Sequence, residues 1–345
     1  MRILIVGDQH FRNQLPYAQA EADGRKSEWS AVITAIHTAS RTCDAVVLLG
    51  DNLNSRHNHS SVLAEFVEFL DGFGEKEIHI LAGNHERYGK ETAIDFLKGV
   101  RPEWKIYTEP RVTIIGSIPA MMFPFMSPAS LNASSVTEAR DIALKMALPA
   151  HYLFHHHIVE GTTVGGALLE DIPEIVFPKT IEGRYKKIFG GHIHDPQIVS
   201  DKICVTGNIF TEQTGNTEKY IYVLDTDTDK AERIALPVKP IKKVEFPATD
   251  ITTLVPETIY KCVVNDKALH GVGVDGIKAN LESRGIAHVI VEQYESERAR
   301  TTEPVGDLDL SLPNLLKVYS EVKKVPYEQI QRALDFVNTH ENNRH

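Results

Sequence analysis

The sequence predicts a mixed α/β (α+β) fold in which two β-sheets pack face to face and helices cover their outer sides. The first hundred residues alternate short apolar runs with amphipathic stretches, which is typical of parallel β/α units. After Pro110 the apolar runs follow one another with one helical interruption, which favours a second, more antiparallel sheet. The 345 residues suffice for one large domain and a smaller one.

The elements of the N-terminal part follow from apolar patterning. The expected strands are 2–7, 45–50 and 77–82. The expected helices are 27–41, 61–73 and 91–98. Ser27 is the expected N-cap of the first helix, because its hydroxyl can accept a bond from a free backbone N–H. Val62, Phe66 and Phe69 lie on one face of the second helix, so that face is expected to be buried.

The remainder of the chain is expected to hold the second sheet, a small domain and terminal helices. The strands expected before the boundary are 112–115, 120–124, 152–156, 185–189, 202–205 and 220–225, with one helix at 136–146. A proline-bracketed, lysine-rich bridge at 237–247 marks the boundary. A strand–helix–strand unit follows, with strands at 259–264 and 287–292 and a helix capped by Asp275 and ended by Gly285. The predicted division is 1–238, 248–298, a linker at 299–309, and helices within 310–345.

Composition narrows the class of protein. The net charge of −10 argues against a free-standing nucleic-acid binder with a broad basic surface. The negative net charge does not exclude a nuclease, because bound cations or a partner subunit can supply positive charge. Cys43, Cys204 and Cys262 are odd in number and scattered, so we expect buried thiols and no disulfide framework. No apolar run is long enough for a membrane span, and residues 1–8 do not resemble a signal peptide, so a cytoplasmic protein is expected.

Polar motifs follow the ends of the predicted strands. They are Asp8-Gln9-His10, Gly50-Asp51, Gly83-Asn84-His85-Glu86 and Gly190-Gly191-His192-Ile193-His194. Each has an ordinary explanation when taken alone: a chance pair, a capping aspartate, a Gly-Asn turn or a polar loop. Open α/β sheets place their sites at the carboxyl ends of strands, so these groups are expected to converge. Together they supply enough oxygen and imidazole ligands for two metal ions, which indicates phosphate ester chemistry.

Residue type suggests a role for each group. Asp8 and His10 are two residues apart, so an extended backbone would direct both at one ion. Gly50 permits a sharp turn, after which the carboxylate of Asp51 can bridge two ions. The amide oxygen of Asn84 is a credible ligand for a hard cation, and the neighbouring His85 could protonate a leaving oxygen.

The histidines of the second half leave alternatives open. In the run His155-His156-His157, strand alternation points the outer two to one side and the middle one to the other. One of them is expected to be a ligand, and at least one other to make ordinary hydrogen bonds. Strict alternation would aim His192 and His194 the same way, whereas a turn after the two preceding glycines would let them reach neighbouring ions.

The order Asp-x-His, Gly-Asp, Gly-Asn-His-Glu, His and Gly-His-x-His resembles the calcineurin-like metallophosphoesterases over roughly Met1–Leu236. The small downstream unit and terminal helices resemble the SbcD-type nuclease subunits of double-strand-break repair, especially the compact recombination endonuclease subunits of tailed phages. The resemblance implies a four-layer metallophosphoesterase β-sandwich flanked by helices, with a small α/β capping domain. It also implies C-terminal helices that dock on the coiled coil of an SMC-like ATPase.

The resemblance also implies a ligand set. One ion would be held by Asp8, His10, Asp51 and His194. The other would be held by Asp51, Asn84, His156 and His192. His156 is chosen from its run because family members often carry a histidine five residues before a glycine, here Gly161. His85 would be the acid or transition-state stabiliser. Ligands of oxygen and imidazole suit Mn²⁺ best, with Mg²⁺ or Zn²⁺ as alternatives.

The function implied by the resemblance is that of a metal-dependent DNA exonuclease and endonuclease. Its partners would be DNA and the SMC-like ATPase, it would be a homodimer within that complex, and it would work in the host cytoplasm if encoded by a phage. Two departures bear on substrate contacts: Asn52-Leu53-Asn54 follows Asp51, and Thr206-Gly207-Asn208 replaces a more usual Pro-Gly-Ser. The alternatives are a phosphatase or phosphodiesterase for a small molecule or phosphoprotein, and an inactive scaffold.

Overall fold

The computed structural model describes residues 1–88, 91–165, 167–169, 172–214, 218–264 and 272–292. The strands are β1 Arg2–Val6, β2 Ala45–Leu48, β3 Glu77–Leu81, β4 Arg87–Tyr88, β5 Glu91–Thr92, β6 Lys105–Tyr107, β7 Arg111–Ile115, β8 Ile118–Phe123, β9 Tyr152–His155, β10 Ile158–Val159, β11 Thr163–Val164, β12 Ala167–Leu168, β13 Val176–Phe177, β14 Lys187–Gly190, β15 Gln197–Ile198, β16 Ile203–Val205, β17 Tyr220–Asp225, β18 Lys230–Ala235, β19 Ile241–Phe246, β20 Ile259–Val264 and β21 His288–Glu292. The helices are α1 Lys26–Ser40, α2 Ser60–Asp71, α3 Leu97–Val100, α4 Val136–Met146 and α5 Val272–Ser283, with short 3₁₀ turns at Ala18–Ala20, Ala129–Leu131, Lys179–Arg184 and Ile251–Thr253.

Two six-stranded sheets form the body of the fold. The first has the order β18-β17-β1-β2-β3-β6, and its strands β1, β2, β3 and β6 are parallel. The second has the order β15-β16-β14-β9-β8-β7. Its four central strands are parallel and only the two edge strands are antiparallel, so the expectation of a more antiparallel second sheet is wrong. The reason is that β8 reaches β9 through α4, and a crossover helix permits parallel pairing.

Alternation along the strands builds the layers. In β1, Leu4 and Val6 pack against α1 and α2, whereas Ile3 and Ile5 pack against the second sheet. A third apolar cluster lies between the second sheet and α4, where Ala139 is buried. The layers therefore run helix, sheet, sheet, helix, and the predicted mixed α/β sandwich is confirmed.

One predicted helix cap and one predicted helix in the first half are wrong. The first helix begins at Lys26, so Ser27 is not its cap; the carboxylate of Asp23 instead accepts from the Ser27 amide at 3.0 Å. The predicted helix at 91–98 is replaced by β5 and the single turn of α3. There the carboxylate of Asp95 accepts from the amide of Thr92 at 2.8 Å, a local bond that competes with a regular helix.

A small parallel sheet, β19-β20-β21, follows the body and packs with α5 around its own apolar cluster. Strand β19 occupies most of the segment predicted to be a proline-bracketed bridge, so that prediction is wrong. Helix α5 begins at Val272, which places Asp275 inside its first turn and not at its cap. Gly285 follows the helix with a φ of +65°, as its predicted role requires.

The predicted domain boundaries stay predictions, and the linker at 299–309 and the helices within 310–345 lie outside the described residues. The three cysteines are free and buried, as expected. Among the residues that the structure describes, none of the helices has the length and apolar character of a membrane span.

Candidate active site

The predicted site residues converge at one edge of the two sheets. Asp8 follows β1, Asp51 follows β2, and Asn84 follows β3 in the first sheet. His156 follows β9 and His192 follows β14 in the second sheet. These strands are parallel within each sheet, so their carboxyl ends meet at a common edge.

The first cluster of candidate ligands contains Asp8, His10 and His194. The Nε2 atoms of His10 and His194 face each other at 2.9 Å, and a carboxylate oxygen of Asp8 lies 4.0 Å from Nε2 of His194. Asp8 and His10 are fully buried. Two imidazole nitrogens directed at one point suit a shared cation, because each can present a lone pair to it.

The second cluster contains Asp51, Asn84, His156 and His192. The amide oxygen of Asn84 lies 2.8 Å from Nδ1 of His192 and 3.1 Å from Nε2 of His156. Nε2 of His156 is also 3.3 Å from a carboxylate oxygen of Asp51. These four groups present two oxygens and two ring nitrogens to a common point, which is a suitable donor set for a divalent ion.

Asp51 lies between the two clusters. Its Oδ2 atom is 3.3 Å from Nε2 of His156 in the second cluster and 3.9 Å from Nε2 of His10 in the first. The side chain is 2 % exposed. A single carboxylate that faces both groups of ligands has the position that a bridging ligand requires.

The loops that carry these ligands have an unusual backbone. His10, Asp51 and His192 have φ values of 49°, 46° and 79°, in the left-handed region that most residues avoid. A Cβ on Gly191 would lie 2.6 Å from Oδ1 of Asp8, and a Cβ on Gly83 would collide with the carboxylate of Asp51. The glycines of the motifs therefore let the carboxylates approach the neighbouring loops, and the strain is concentrated at the candidate ligands.

The shifts in pKa favour the metal-binding forms of His10 and Asp51 and oppose those of Asp8 and His156. Burial lowers the pKa of His10 to about 3, which keeps the ring neutral at pH 7. Burial raises the pKa of Asp8 to about 6. Burial alone would raise the pKa of Asp51, but the neighbouring His156 outweighs it and lowers that pKa. Burial would also lower the pKa of His156, but the carboxylates of Asp51 and Asp8 raise it to about 9, so a cation that binds this ring must displace a proton.

His85 lies on the open side of the clusters. Its side chain is 38 % exposed, whereas that of Asp51 is 2 % exposed. Its Nδ1 atom contacts the carbonyl oxygen of Asn54 at 2.8 Å, and its Nε2 atom lies 3.8 Å from Oδ2 of Asp51. This placement suits a proton donor, although His85 could also complete a group of ligands with His10 and Asp51. Its catalytic role stays a prediction.

In the histidine run, His156 enters the second cluster and its two neighbours make other contacts. Nδ1 of His155 accepts from the amide of His157 at 3.2 Å, and Nε2 of His157 accepts from the amide of Met126 at 3.0 Å. Burial lowers the pKa of both rings, to about 3 for His155, which keeps them neutral. The contacts of His155 and His157 are those of structural residues.

The run gives a direct prediction. We expect His156→Ala to lose a Mn²⁺ ion and nearly all activity, because its ring lies between Asp51 and Asn84. His157→Ala should keep both ions but unfold more easily, by about 1–3 kcal/mol, because the amide of Met126 loses its acceptor. Metal content and thermal unfolding of the two variants check this. Retention of both ions by His156→Ala would rule out its place in the ligand set.

Three glutamates of this region received no role from the sequence. Glu86 is the last residue of the Gly-Asn-His-Glu motif, and its side chain is fully buried. Its carboxylate accepts from the amides of Gly83 at 2.6 Å and Leu53 at 2.8 Å, so it joins the loops after β2 and β3. Glu174 and Glu212 contact His192 and His194, and no local sequence pattern marks either of them.

Removing the carboxylate of Glu86 should destabilise the protein. Glu86→Ala leaves the amides of Gly83 and Leu53 without their acceptor in a buried place. One N–H of the Asn52 side chain also loses its acceptor, whereas the bond from this side chain to the carbonyl oxygen of Leu81 remains. Each such loss costs about 1–3 kcal/mol, so we expect a decrease of at least about 3 kcal/mol in the free energy of unfolding. Urea denaturation measures it, with Glu86→Gln as the isosteric control. A decrease below about 1 kcal/mol would contradict the contacts assigned to Glu86.

The donor set fits two divalent ions. It consists of carboxylate, amide and imidazole groups without a thiolate, which suits Mn²⁺, Mg²⁺ or Zn²⁺. On the far side of the rings, His156 Nδ1 lies 2.7 Å from the carbonyl oxygen of Leu49, an arrangement that leaves the other nitrogen for the ion. Among the described residues, three groups of histidine and aspartate side chains lie at this edge, and the possible ligand atoms within each group are at most 4.8 Å apart.

Comparisons with known proteins identify a family for the part of the chain that carries this site. The family profile of the calcineurin-like phosphoesterases matches residues 1–196. A comparison with curated proteins finds no match. A solved structure of a novel archaeal phosphodiesterase is 14 % identical, with a TM-score of 0.35, 68 % of this chain covered and 100 % of the other. A crystal structure of TT1561 from Thermus thermophilus is 11 % identical, with a TM-score of 0.40, 68 % of this chain covered and 98 % of the other.

Both TM-scores are too low to support an argument, and the assignment comes from the family match and the site. The matched residues make up more than half of the chain. They include the candidate ligands that follow β1, β2, β3, β9 and β14. The chain therefore belongs to the calcineurin-like phosphoesterase family and is a hydrolase that acts on phosphoester bonds.

Proposed function

We propose that this chain is a metal-dependent DNA phosphodiesterase, an exonuclease and endonuclease that serves as the nuclease subunit of a double-strand-break repair or recombination complex. One observation carries this choice among phosphoesterases. The small parallel sheet β19-β20-β21 with α5 follows the phosphoesterase fold in the chain, as a capping domain does in the SbcD-type nucleases that the sequence resembles. A phosphatase of small substrates has no need of such an addition.

The residues of the site have complementary tasks in this proposal. Two bound divalent ions, Mn²⁺ by preference, would supply an activated water and offset the negative charge on the phosphate. Asp8, His10 and His194 would hold the first ion, and Asp51 would bridge it to the second. His85 would donate a proton from Nε2 to the leaving oxygen, with its Nδ1 held on the carbonyl oxygen of Asn54.

The charge of the chain bears on how DNA is held. The net charge is −10, and the carboxylates of Glu174 and Glu212 lie beside the candidate ligands. Such a surface does not attract a polyanion by itself. The proposal therefore includes an SMC-like coiled-coil ATPase as the partner that supplies basic surface, with a homodimer of this chain in the complex.

The same charge favours a second candidate. A phosphodiesterase or phosphatase acting on a small molecule or phosphoprotein would use the same ions and would need little basic surface. An inactive scaffold is the third alternative, and the convergence of the full ligand set argues against it.

Hydrolysis assays separate these candidates. The purified chain with Mn²⁺ is incubated with labelled linear and single-stranded DNA, with and without the coiled-coil ATPase of the same genome. Parallel reactions contain bis-p-nitrophenyl phosphate, a diester, and p-nitrophenyl phosphate, a monoester. We expect DNA and the diester to be cleaved. Cleavage of the monoester alone would favour the phosphatase, and cleavage of none would favour the scaffold.

The proposal also assigns partner binding to the C-terminal segment. Leu312, Leu315, Leu316, Tyr319 and Val322 follow a three–four spacing, as do Ile330, Leu334 and Val337, which predicts two amphipathic helices. Deletion of Asp309–His345 should leave a folded enzyme that hydrolyses the diester but no longer co-purifies with the ATPase. An insoluble truncated chain, or one that binds the ATPase as the full chain does, would show that the segment is structural.

A further inference from the structure

Two glutamates outside the motifs contact the far ring nitrogens of candidate ligands. A carboxylate oxygen of Glu174 lies 2.7 Å from Nε2 of His192, whose Nδ1 faces the second cluster. A carboxylate oxygen of Glu212 lies 3.3 Å from Nδ1 of His194, whose Nε2 faces the first cluster. Each cluster thus contains one histidine that lies between the candidate ion position and a glutamate.

Such contacts have a direct chemical effect on metal ligands. A carboxylate that accepts the N–H of one ring nitrogen fixes the tautomer, so the lone pair of the other nitrogen faces the ion. It also fixes the angle of the ring and makes the ligand more basic. The corresponding nitrogen of His156 is hydrogen-bonded to the carbonyl oxygen of Leu49 at 2.7 Å, and the carboxylate oxygen near it, at 3.7 Å, belongs to the candidate ligand Asp8. The carboxylates therefore distinguish His192 and His194 from the other rings.

The two glutamates are held differently. Glu212 is 15 % exposed and forms an ion pair with Arg12, whose Nε also donates to the carbonyl oxygen of His10 at 3.0 Å. Glu212 is thus connected to two ligands of the first cluster, His194 directly and His10 through Arg12. Glu174 is 38 % exposed and lies in the segment before β13.

We propose that Glu174 and Glu212 are positioning residues, each for a different ion. Glu174 orients His192 and serves the ion of the second cluster, whereas Glu212 orients His194 and serves the ion of the first. This inference rests on the proposed two-ion centre and extends it to residues beyond the family motifs. It does not depend on whether the substrate is DNA.

Metal binding tests the inference without an activity assay. Mn²⁺ is titrated calorimetrically into wild type, Glu174→Gln and Glu212→Gln, which keep the shape of the side chain and remove its charge. Each variant should weaken one of two sites by about 10- to 100-fold and leave the other unchanged. Glu182→Gln is the matched control, because this glutamate accepts from the hydroxyl of Ser200 away from the clusters. Thermal unfolding in a chelator shows whether each variant stays folded; Glu212→Gln should unfold at a somewhat lower temperature, because it also loses its ion pair with Arg12.

The same glutamate substitutions in the His10→Asn variant show which of the two metal sites each glutamate affects. In His10→Asn, which removes a ligand of the first cluster, Glu212→Gln should have no further effect, whereas Glu174→Gln should weaken the remaining site. Unchanged affinities in both glutamate variants, or weakening of the same site by both, would overturn the assignment. A wild-type chain that binds fewer than two ions would overturn the two-ion centre itself.

Discussion

Asp51→Asn should remove tight binding of both ions and abolish hydrolysis. Oδ2 of Asp51 faces His156 at 3.3 Å and His10 at 3.9 Å, so the loss of its charge affects both clusters at once. Removal of a carboxylate that contacts a ligand but does not itself bind the ion lowers metal affinity by roughly 10- to 100-fold. Asp51→Asn should lower the Mn²⁺ affinity by more than this. Asparagine has the shape of aspartate and tolerates the φ of 46° at this position, so the variant should fold.

Calorimetric titration with Mn²⁺ checks this result. Asp201→Asn is the matched control, because that aspartate is exposed and belongs to none of the groups of candidate ligands. His10→Asn is a second comparison. His10 belongs to the first cluster alone, so its loss should remove one bound ion and leave the other in place. Two tight Mn²⁺ sites in Asp51→Asn would exclude the bridging position.

His85→Ala should slow the hydrolysis of DNA by about 100- to 10,000-fold while both ions stay bound. The ring is held by the carbonyl oxygen of Asn54 and is exposed beside the candidate ligands, so a substrate can reach it and accept a proton from it. The effect on bis-p-nitrophenyl phosphate should be smaller, because p-nitrophenolate leaves readily without a proton. A general loss of affinity would not give this dependence on the leaving group.

Metal analysis decides between the two roles open to His85. Its Nε2 atom is close enough to Asp51 and His10 to share an ion with them. Loss of an ion in His85→Ala, with equal slowing of both substrates, would make it a ligand and not an acid. His151→Ala, at an exposed histidine on the surface, should behave as the wild type.

Much of the fold could be predicted because buried strands and helices have a clear pattern of apolar residues in the sequence. The run at 45–50 is apolar on both faces, as a strand covered by layers on both sides must be. The run at 77–82 is apolar on one face, and its other face carries Glu77 and the buried His79 beside Leu81. Strand β18 was missed because five of its six residues are exposed and no apolar alternation marks it. Strand β19 was missed because the prolines at either end suggested a linker, and only its pairing with β20 makes it a strand.

Local sequence patterns predict only part of the candidate site. Asp8, Asp51 and Asn84 stand at strand ends, and the rule for open α/β sheets is sufficient to bring them together. The left-handed backbone of His10, Asp51 and His192 could not be predicted, because it depends on close packing of loops from two sheets. Glu174 is 18 residues from its partner His192, and only the folded chain brings the two together.

In the proposed mechanism, two divalent ions held by residues of both sheets would support phosphodiester hydrolysis. The most direct measurement is the rate of bis-p-nitrophenyl phosphate hydrolysis as Mn²⁺ is added to chelator-treated protein at concentrations well above the dissociation constants. The rate should rise until two equivalents per chain are bound and then stay constant, and Asp51→Asn should show no rise. A rate that is complete at one equivalent, or no hydrolysis at any Mn²⁺ concentration, would contradict the two-ion centre.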